Sequence, residues 1–127
     1  MFETTHAFSG FSVDDIETAK QFYGETLGIK FNERAEGIML EIAGTNGVFV
    51  YKKGEQHVPA SFTILNFPVD NIDEAVNALK AKGVTFESYP MTDENNIARG
   101  KAAGQGPDIA WFKDPAGNVL SVLEGDE

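Results

Sequence analysis

The stretch Phe11–Phe31, FSVDDIETAKQFYGETLGIKF, is repeated in plan by Phe67–Phe86, FPVDNIDEAVNALKAKGVTF. In each copy a valine precedes an aspartate (Val13 and Asp14, Val69 and Asp70) and a run with helical spacing follows. A glycine then stops the run (Gly28, Gly83), and a short β-prone stretch ends in phenylalanine. Two copies within 127 residues mean one supersecondary unit used twice, because a solenoid needs at least about three repeats to bury a continuous core. A half of this size is marginal alone. The sequence therefore predicts a single domain over residues 1–127, with module one at about 5–52, a polar linker at 53–60 and module two at about 61–125.

Residues 6–13, HAFSGFSV, have the alternation of a first strand. Asp14 precedes the helical stripe Ile16, Ala19, Phe22 and Tyr23, with Glu17 three residues on as in a capping box. Gly28 suits the left-handed residue that ends a helix. Apolar runs at 29–32, 38–43 and 48–52, separated by turn residues, read as an antiparallel meander. Module two follows the same order: a strand at 61–67, then an Asp70-capped helix with Ile72, Ala75, Val76 and Leu79 on its buried face. After a run at 84–88 comes a loose stretch at 89–107, and then a hairpin of 108–113 and 119–124 about Asp114-Pro115-Ala116-Gly117-Asn118. Each half is β-α-β-β-β, and the fold class is α+β.

The balance of 20 acidic against 10 basic residues gives a net charge of −10, which repels nucleic acid and anionic lipid. Without cysteine there is no disulfide or thiol chemistry. No apolar run has the length of a signal peptide or membrane span, so the expectation is a cytoplasmic protein with no nucleic-acid or membrane partner.

With Phe22-Tyr23 ahead of Leu27-Gly28, the Asp70-led second helix, and Lys113-Asp114-Pro115-Ala116-Gly117-Asn118 before a last strand, the chain resembles the vicinal oxygen chelate superfamily. That group includes glyoxalase I, extradiol dioxygenases, and fosfomycin and bleomycin resistance proteins. The resemblance covers nearly the whole chain. It implies that the modules form a curled mixed sheet with helices outside and a concave central cavity for ligand or metal. It also implies a homodimer, since such proteins pair modules within a chain or across chains.

Where relatives hold a metal, His, Gln or Glu from the first and last strand of each module bind it. The matching positions here are Phe8 and Ile64 on the first strands, and Val50 and Ser121 on the last. A catalytic divalent ion takes about three nitrogen or carboxylate ligands, and these four residues do not supply them. A slip of one residue turns a strand over. It brings in Ala7, Ser9, Phe49, Tyr51, Thr63, Leu65, Leu120 and Val122, again without carboxylate or imidazole. The expectation is a metal-independent small-molecule binding protein of the bleomycin resistance type, without cofactor, whose apolar pocket is lined by Phe8, Val50, Ile64 and Ser121. The alternatives are a glyoxalase-like lyase or dioxygenase-like metalloenzyme with other ligands, and a protein interaction module.

Two further residues join the expected site. Asn66 shares a strand face with Ile64 and would orient a polar ligand group. In the hairpin, Lys113 opposite Val119 sets Trp111 opposite Ser121, and opposed residues share a face; a bulge or a four-residue turn would put Phe112 there instead, and the other reading of Trp111 is core under the second helix. His6 shares the strand face of Phe8 and reads as solvated, since general base work needs an oriented partner. His57 reads as surface, Tyr23 as core, and Glu41 as facing solvent. Asp14, Glu17, Asp70 and Asp73 read as helix N-terminal carboxylates. Arg99 and Lys101, a close basic pair in the 89–107 stretch, leave two readings: a clamp on an anionic ligand or a solvated loop.

Overall fold

The computed structural model describes residues 1–125; the last two residues of the expected domain, 126 and 127, lie outside the described residues. The chain divides into two compact units, Met1–Pro59 and Ala60–Glu127. Each holds one four-stranded mixed sheet, curled but not closed, and the fold class is α+β. No helix among the described residues is long and apolar enough to cross a membrane.

Module one runs β1 (Ser9–Val13), α1 (Ile16–Lys20), β2 (Phe31–Arg34), β3 (Gly37–Leu40) and β4 (Val48–Lys52), with the sheet order β1-β4-β3-β2. The β1/β4 pair is parallel and the other two are antiparallel. His6 to Phe8 precede the strand that the sequence places at 6–13. The helix cap is Asp15 rather than Asp14. Its extended backbone lets the carboxylate accept the Thr18 N–H at 2.9 Å, and Glu17 pairs with Lys20 instead of closing a capping box.

Beyond Lys20 the helix widens into a π turn over Gln21–Thr26, with the Leu27 N–H donating to the Phe22 carbonyl. Gly24 within it makes room for Phe31 of β2, whose ring stands 2.8 Å from where a Cβ would be. Ala19 and Tyr23 are buried, and the Tyr23 ring lies 5.7 Å from that of Phe11 on β1. Phe11, Val13, Val48, Val50, Ile38 and Leu40 alternate onto this helix-covered face and are all buried. Each contributes about 1.5–3 kcal/mol on removal from water.

Module two runs β5 (Thr63–Pro68), α2 (Ile72–Ala81), β6 (Ala98–Arg99), α3 (Gly100–Ala103), β7 (Asp108–Lys113) and β8 (Val119–Glu124), in the order β5-β8-β7-β6. Asn71, not Asp70, caps α2 by accepting the Glu74 N–H. Ile72 and Val76 are buried beneath it, with Ala75 and Leu79 half-buried. The hairpin register pairs Lys113 with Val119 and Trp111 with Ser121. Its turn is fixed by the buried Asp114 carboxylate, which accepts the backbone N–H groups of Ala116 and Asn118 and the Asn118 amide.

The run at 84–88 does not form a full strand. It touches the sheet through one bridge, Phe86 to Phe112, with the Glu87 N–H on the Trp111 carbonyl. Another part of that edge of β7 is taken by β6, which pairs Ala98 with Ile109 and Arg99 with Asp108. The stretch at 89–107 is thus built of turns, a short strand and a short helix.

Candidate functional site

A strand turns alternate side chains to opposite faces. In module two, Ala110, Phe112, Leu120 and Val122 form the buried layer on which α2 packs. The other face carries Asn66, Ser121 and Trp111, one from each of three adjacent strands and level with one another in the register. Ser121 is fully buried and its hydroxyl donates to the Asn66 carbonyl oxygen at 2.6 Å. The half-buried Trp111 meets Tyr89 edge-on, ring centres 5.6 Å apart at 72°. A polar pair therefore lies beside an aromatic pair, and Ile109, Val119 and Leu123 continue the same face along the hairpin. Ile64, half-buried, stands at the bulge where the β5/β8 register shifts. Flat apolar surface with one oriented hydroxyl–amide pair suits a ligand that stacks and makes a few hydrogen bonds.

The corresponding face of module one is different. The β1/β4 register sets Phe11 opposite Val50, so Val50 faces the helix and is fully buried, while Phe49 and Tyr51 take the other face. Their rings stack 5.8 Å apart at 22°. Gly10 is level with Phe49, and a Cβ there would sit 3.1 Å from the Phe49 carbonyl oxygen. Ser12, level with Tyr51, is joined to His57 by a 2.7 Å hydrogen bond to Nδ1. His57 is half-buried rather than a free surface group. Phe8 lies before β1 and is 58% exposed.

Within module two the structure thus brings Asn66, Ser121 and Trp111 together and sets Ile64 beside them on β5; within module one it turns Val50 to the helix and leaves Phe8 exposed ahead of β1. Tyr89 is the aromatic group of this module-two face that sequence reasoning left out. In module one the register sets Gly10 level with Phe49, as module two sets Asn66 level with Ser121, and the sequence repeat matches Gly10 to Asn66 without giving Phe49.

Arg99 and Lys101 are ion-paired. Arg99 forks onto Asp73 at 2.8 and 3.1 Å and donates through Nε to Asp93 at 2.9 Å. Asp108 lies 3.8 Å away. The Arg99 hydrogen bonds hold Asp73 below the usual carboxylate range. Burial opposes ionisation of Asp93, but the Ile97 N–H, Arg99 and the Asn95 N–H outweigh it and also lower its pKa. Lys101 reaches Glu124 at 2.7 Å and, with the Ile72 N–H, lowers that carboxyl too.

An open groove of about 900 Å³ lies on module one between the π turn and β2, lined by Glu17, Glu25 and Glu41 together with Lys20 and Lys30. Glu41 is exposed and accepts from the Asn32 amide. The groove belongs to the outer edge of the sheet rather than to either face described above.

The positions that match a superfamily metal site fit one poorly. With the register of β4 corrected they read Phe8, Phe49, Ile64 and Ser121, and the one oxygen donor is a neutral hydroxyl bonded to Asn66. Among the described residues no three of His, Cys, Asp or Glu stand together as a metal site. A divalent ion with about three nitrogen or carboxylate ligands does not match this donor set.

Among solved structures, the antibiotic binding protein TnmS3 from Streptomyces sp. CB03234 superposes with a TM-score of 0.70 at 22% identity over 99% of each chain. An integron cassette protein from the mobile metagenome of V. cholerae gives 0.67 at 24% identity over 98% of this chain and 97% of the other. Lactoylglutathione lyase from Agrobacterium tumefaciens gives 0.65 at 17% over 96% and 94%. At such identities the likeness is one of fold. No curated protein matches the sequence. The family model of the Glyoxalase/Bleomycin resistance protein/Dioxygenase superfamily matches residues 5–122, and the chain belongs to that superfamily.

Proposed function

We propose that the protein binds a small, largely apolar aromatic molecule without the help of a metal ion, on the face formed by Asn66, Ser121 and Trp111 with Ile64 at its end. The observation that carries this is the level row of a hydrogen-bonded Ser121–Asn66 pair beside Trp111 and Tyr89. It offers stacking surface and a polar anchor but no carboxylate or imidazole at the neighbouring register positions. The likeness to an antibiotic binding protein agrees with it, and the likeness to a lyase shows that the fold alone does not decide. We further propose that the working form is a homodimer, since open sheets leave edges that a second copy would cover; light scattering at tens of micromolar tests this.

Titration with a panel of aromatic antibiotics, read by the fluorescence of the single tryptophan, is the test of binding. Stacking on the indole contributes about 1 kcal/mol beyond area burial, so Trp111→Phe should weaken a confirmed ligand about fivefold. Ser121→Trp should abolish its binding. An unchanged affinity in Ser121→Trp overturns the placement, and metal-dependent turnover of a methylglyoxal hemithioacetal would favour the lyase alternative.

A further inference from the structure

We propose that Arg99 is the positioning residue for the aromatic part of this site: it pins the segment from Tyr89 to Arg99 so that Tyr89 stands edge-on to Trp111. The inference rests on the binding role given to Trp111 only for its consequence; the mechanical claim stands on geometry. Little backbone ladder holds the segment, since its pairing to β7 is limited to Ala98 with Ile109 and Arg99 with Asp108. Side chains do the rest. The Arg99 guanidinium joins Asp73 on α2 and Asp93 within the segment, with Asp108 of β7 next to it. Asp93 is the centre of a tight turn, accepting the N–H groups of Asn95 and Ile97 while its own N–H donates to the Ile97 carbonyl.

That turn in turn fixes Tyr89. Asn96, in a left-handed conformation at φ 66°, sends its amide to the Glu87 carbonyl and the Ser88 hydroxyl. The Thr92 hydroxyl accepts the Tyr89 N–H at 2.9 Å and donates to the Tyr89 carbonyl at 2.8 Å. A continuous chain of bonds therefore runs from helix α2 through Arg99 and Asp93 to the backbone that carries Tyr89. Of the cations nearby, Lys101 is paired with Glu124 and Lys80 donates to the neutral Asn95 amide. Removing the guanidinium leaves Asp73, Asp93 and Asp108 facing one another with like charge. Ile97, fully buried, keeps the segment attached, so the expected result is a loosened Tyr89 contact rather than unfolding.

Acrylamide quenching of Trp111, the sole tryptophan, reads this contact in the full chain without any ligand. Tyr89→Ala sets the fully uncovered limit. Arg99→Met should raise the quenching constant roughly twofold, by local loosening, and approach that limit. Arg99→Lys, whose point charge satisfies one carboxylate but not the fork, should fall between wild type and Arg99→Met. In the double variant Arg99→Met/Tyr89→Ala the effects should not add, because both act on one contact. Wild-type quenching in Arg99→Met, or additive effects in the double variant, overturns the proposal. If Arg99→Met does not fold, Asp93→Asn and Arg99→Lys carry the same comparison. None of these readouts involves the aromatic ligand, so the positioning role and the binding role fail separately.

Discussion

Module one completes its sheet with a four-residue outer strand, Phe31–Arg34, paired along its whole length with β3. In module two the same edge is divided between one bridge at Phe86 and the two-residue strand Ala98–Arg99. What the backbone ladder does in the first module is done in the second by the charges about Arg99 and by one buried side chain, Ile97. The faces away from the helices differ in the same sense. Module one has stacked Phe49 and Tyr51 beside a glycine, whereas module two has a buried hydroxyl bonded to an exposed amide, with Trp111 beside them. One repeated plan has thus kept its helix-facing layer and diverged on the opposite face and at the outer edge of the sheet. Packing constrains the first, and only local polar chemistry constrains the second.

The assignment of faces makes the largest prediction. Val50→Asp places an unpaired carboxylate in the layer under α1, where burial costs several kcal/mol, and should leave module one unfolded. Phe49→Asp, one residue away on the opposite face, should cost about 1–2 kcal/mol, mainly the lost stack on Tyr51. Denaturant unfolding of the two variants decides it: the reverse order would mean that the β1/β4 register is shifted by one and that Phe49, not Val50, faces the helix.

Acid should separate the modules next. Asp73, Asp93 and Glu124 in module two all have lowered folded-state pKa values. A carboxyl lowered on folding gives stability that is fully present above its unfolded pKa, near 4, and is lost as pH falls through the folded value. In module one the lowered groups are Asp15, through Thr18, and Glu3, through the N-terminal ammonium, and neither lies on the outer strand. Hydrogen exchange at about pH 3 against about pH 6, corrected for intrinsic rates, should therefore show the amides of 89–103 losing protection before those of β2. Equal loss in both would break the contrast between a charge-held and a ladder-held edge.

The parts of this architecture that were legible in the sequence are those set by local chemistry. The Asp114-Pro115-Ala116-Gly117-Asn118 turn fixes the hairpin register, and with it the pairing of Trp111 and Ser121. Helical spacing was enough to place Ala19, Tyr23, Ile72 and Val76 in the core. The face of Val50 was not legible by counting from Val13, because β1 and β4 are parallel and their register is set by tertiary packing rather than by a turn. The Arg99 network joins residues 26 and 6 positions apart, and Ser12 meets His57 across 45. Their composition suggested loop cations and a surface imidazole; only the folded chain shows the partners. The run 84–88 looked like a strand, but part of the edge it would use is occupied by β6.

The smallest expected effect tests the helix starts, where both modules offer two adjacent caps and both use the second. Asp14 and Asp15 differ by one position, as do Asp70 and Asn71; the sequence reading takes the first of each pair although both members are good cap residues. The N-cap must combine an extended backbone with an oxygen that reaches the N–H three residues on. Asp15 does so at φ −134° and ψ 120° with the Thr18 N–H, and Asn71 at φ −138° and ψ 108° with the Glu74 N–H. Asp15→Ala and Asn71→Ala should each cost about 1 kcal/mol, while Asp14→Ala and Asp70→Ala should stay within about 0.5 kcal/mol of wild type. Chemical denaturation resolves differences of this size when all four variants share one slope. The comparison between modules sharpens here, because Asp15 also takes the Thr18 hydroxyl whereas among the described residues the Asn71 side chain accepts from the Glu74 N–H alone. Asp15→Asn should therefore lose more than the near-isosteric Asn71→Asp, which adds a carboxylate to the favourable end of the helix dipole. A larger loss at Asp14 than at Asp15 would put the start of α1 one residue earlier and restore Glu17 as its capping-box partner.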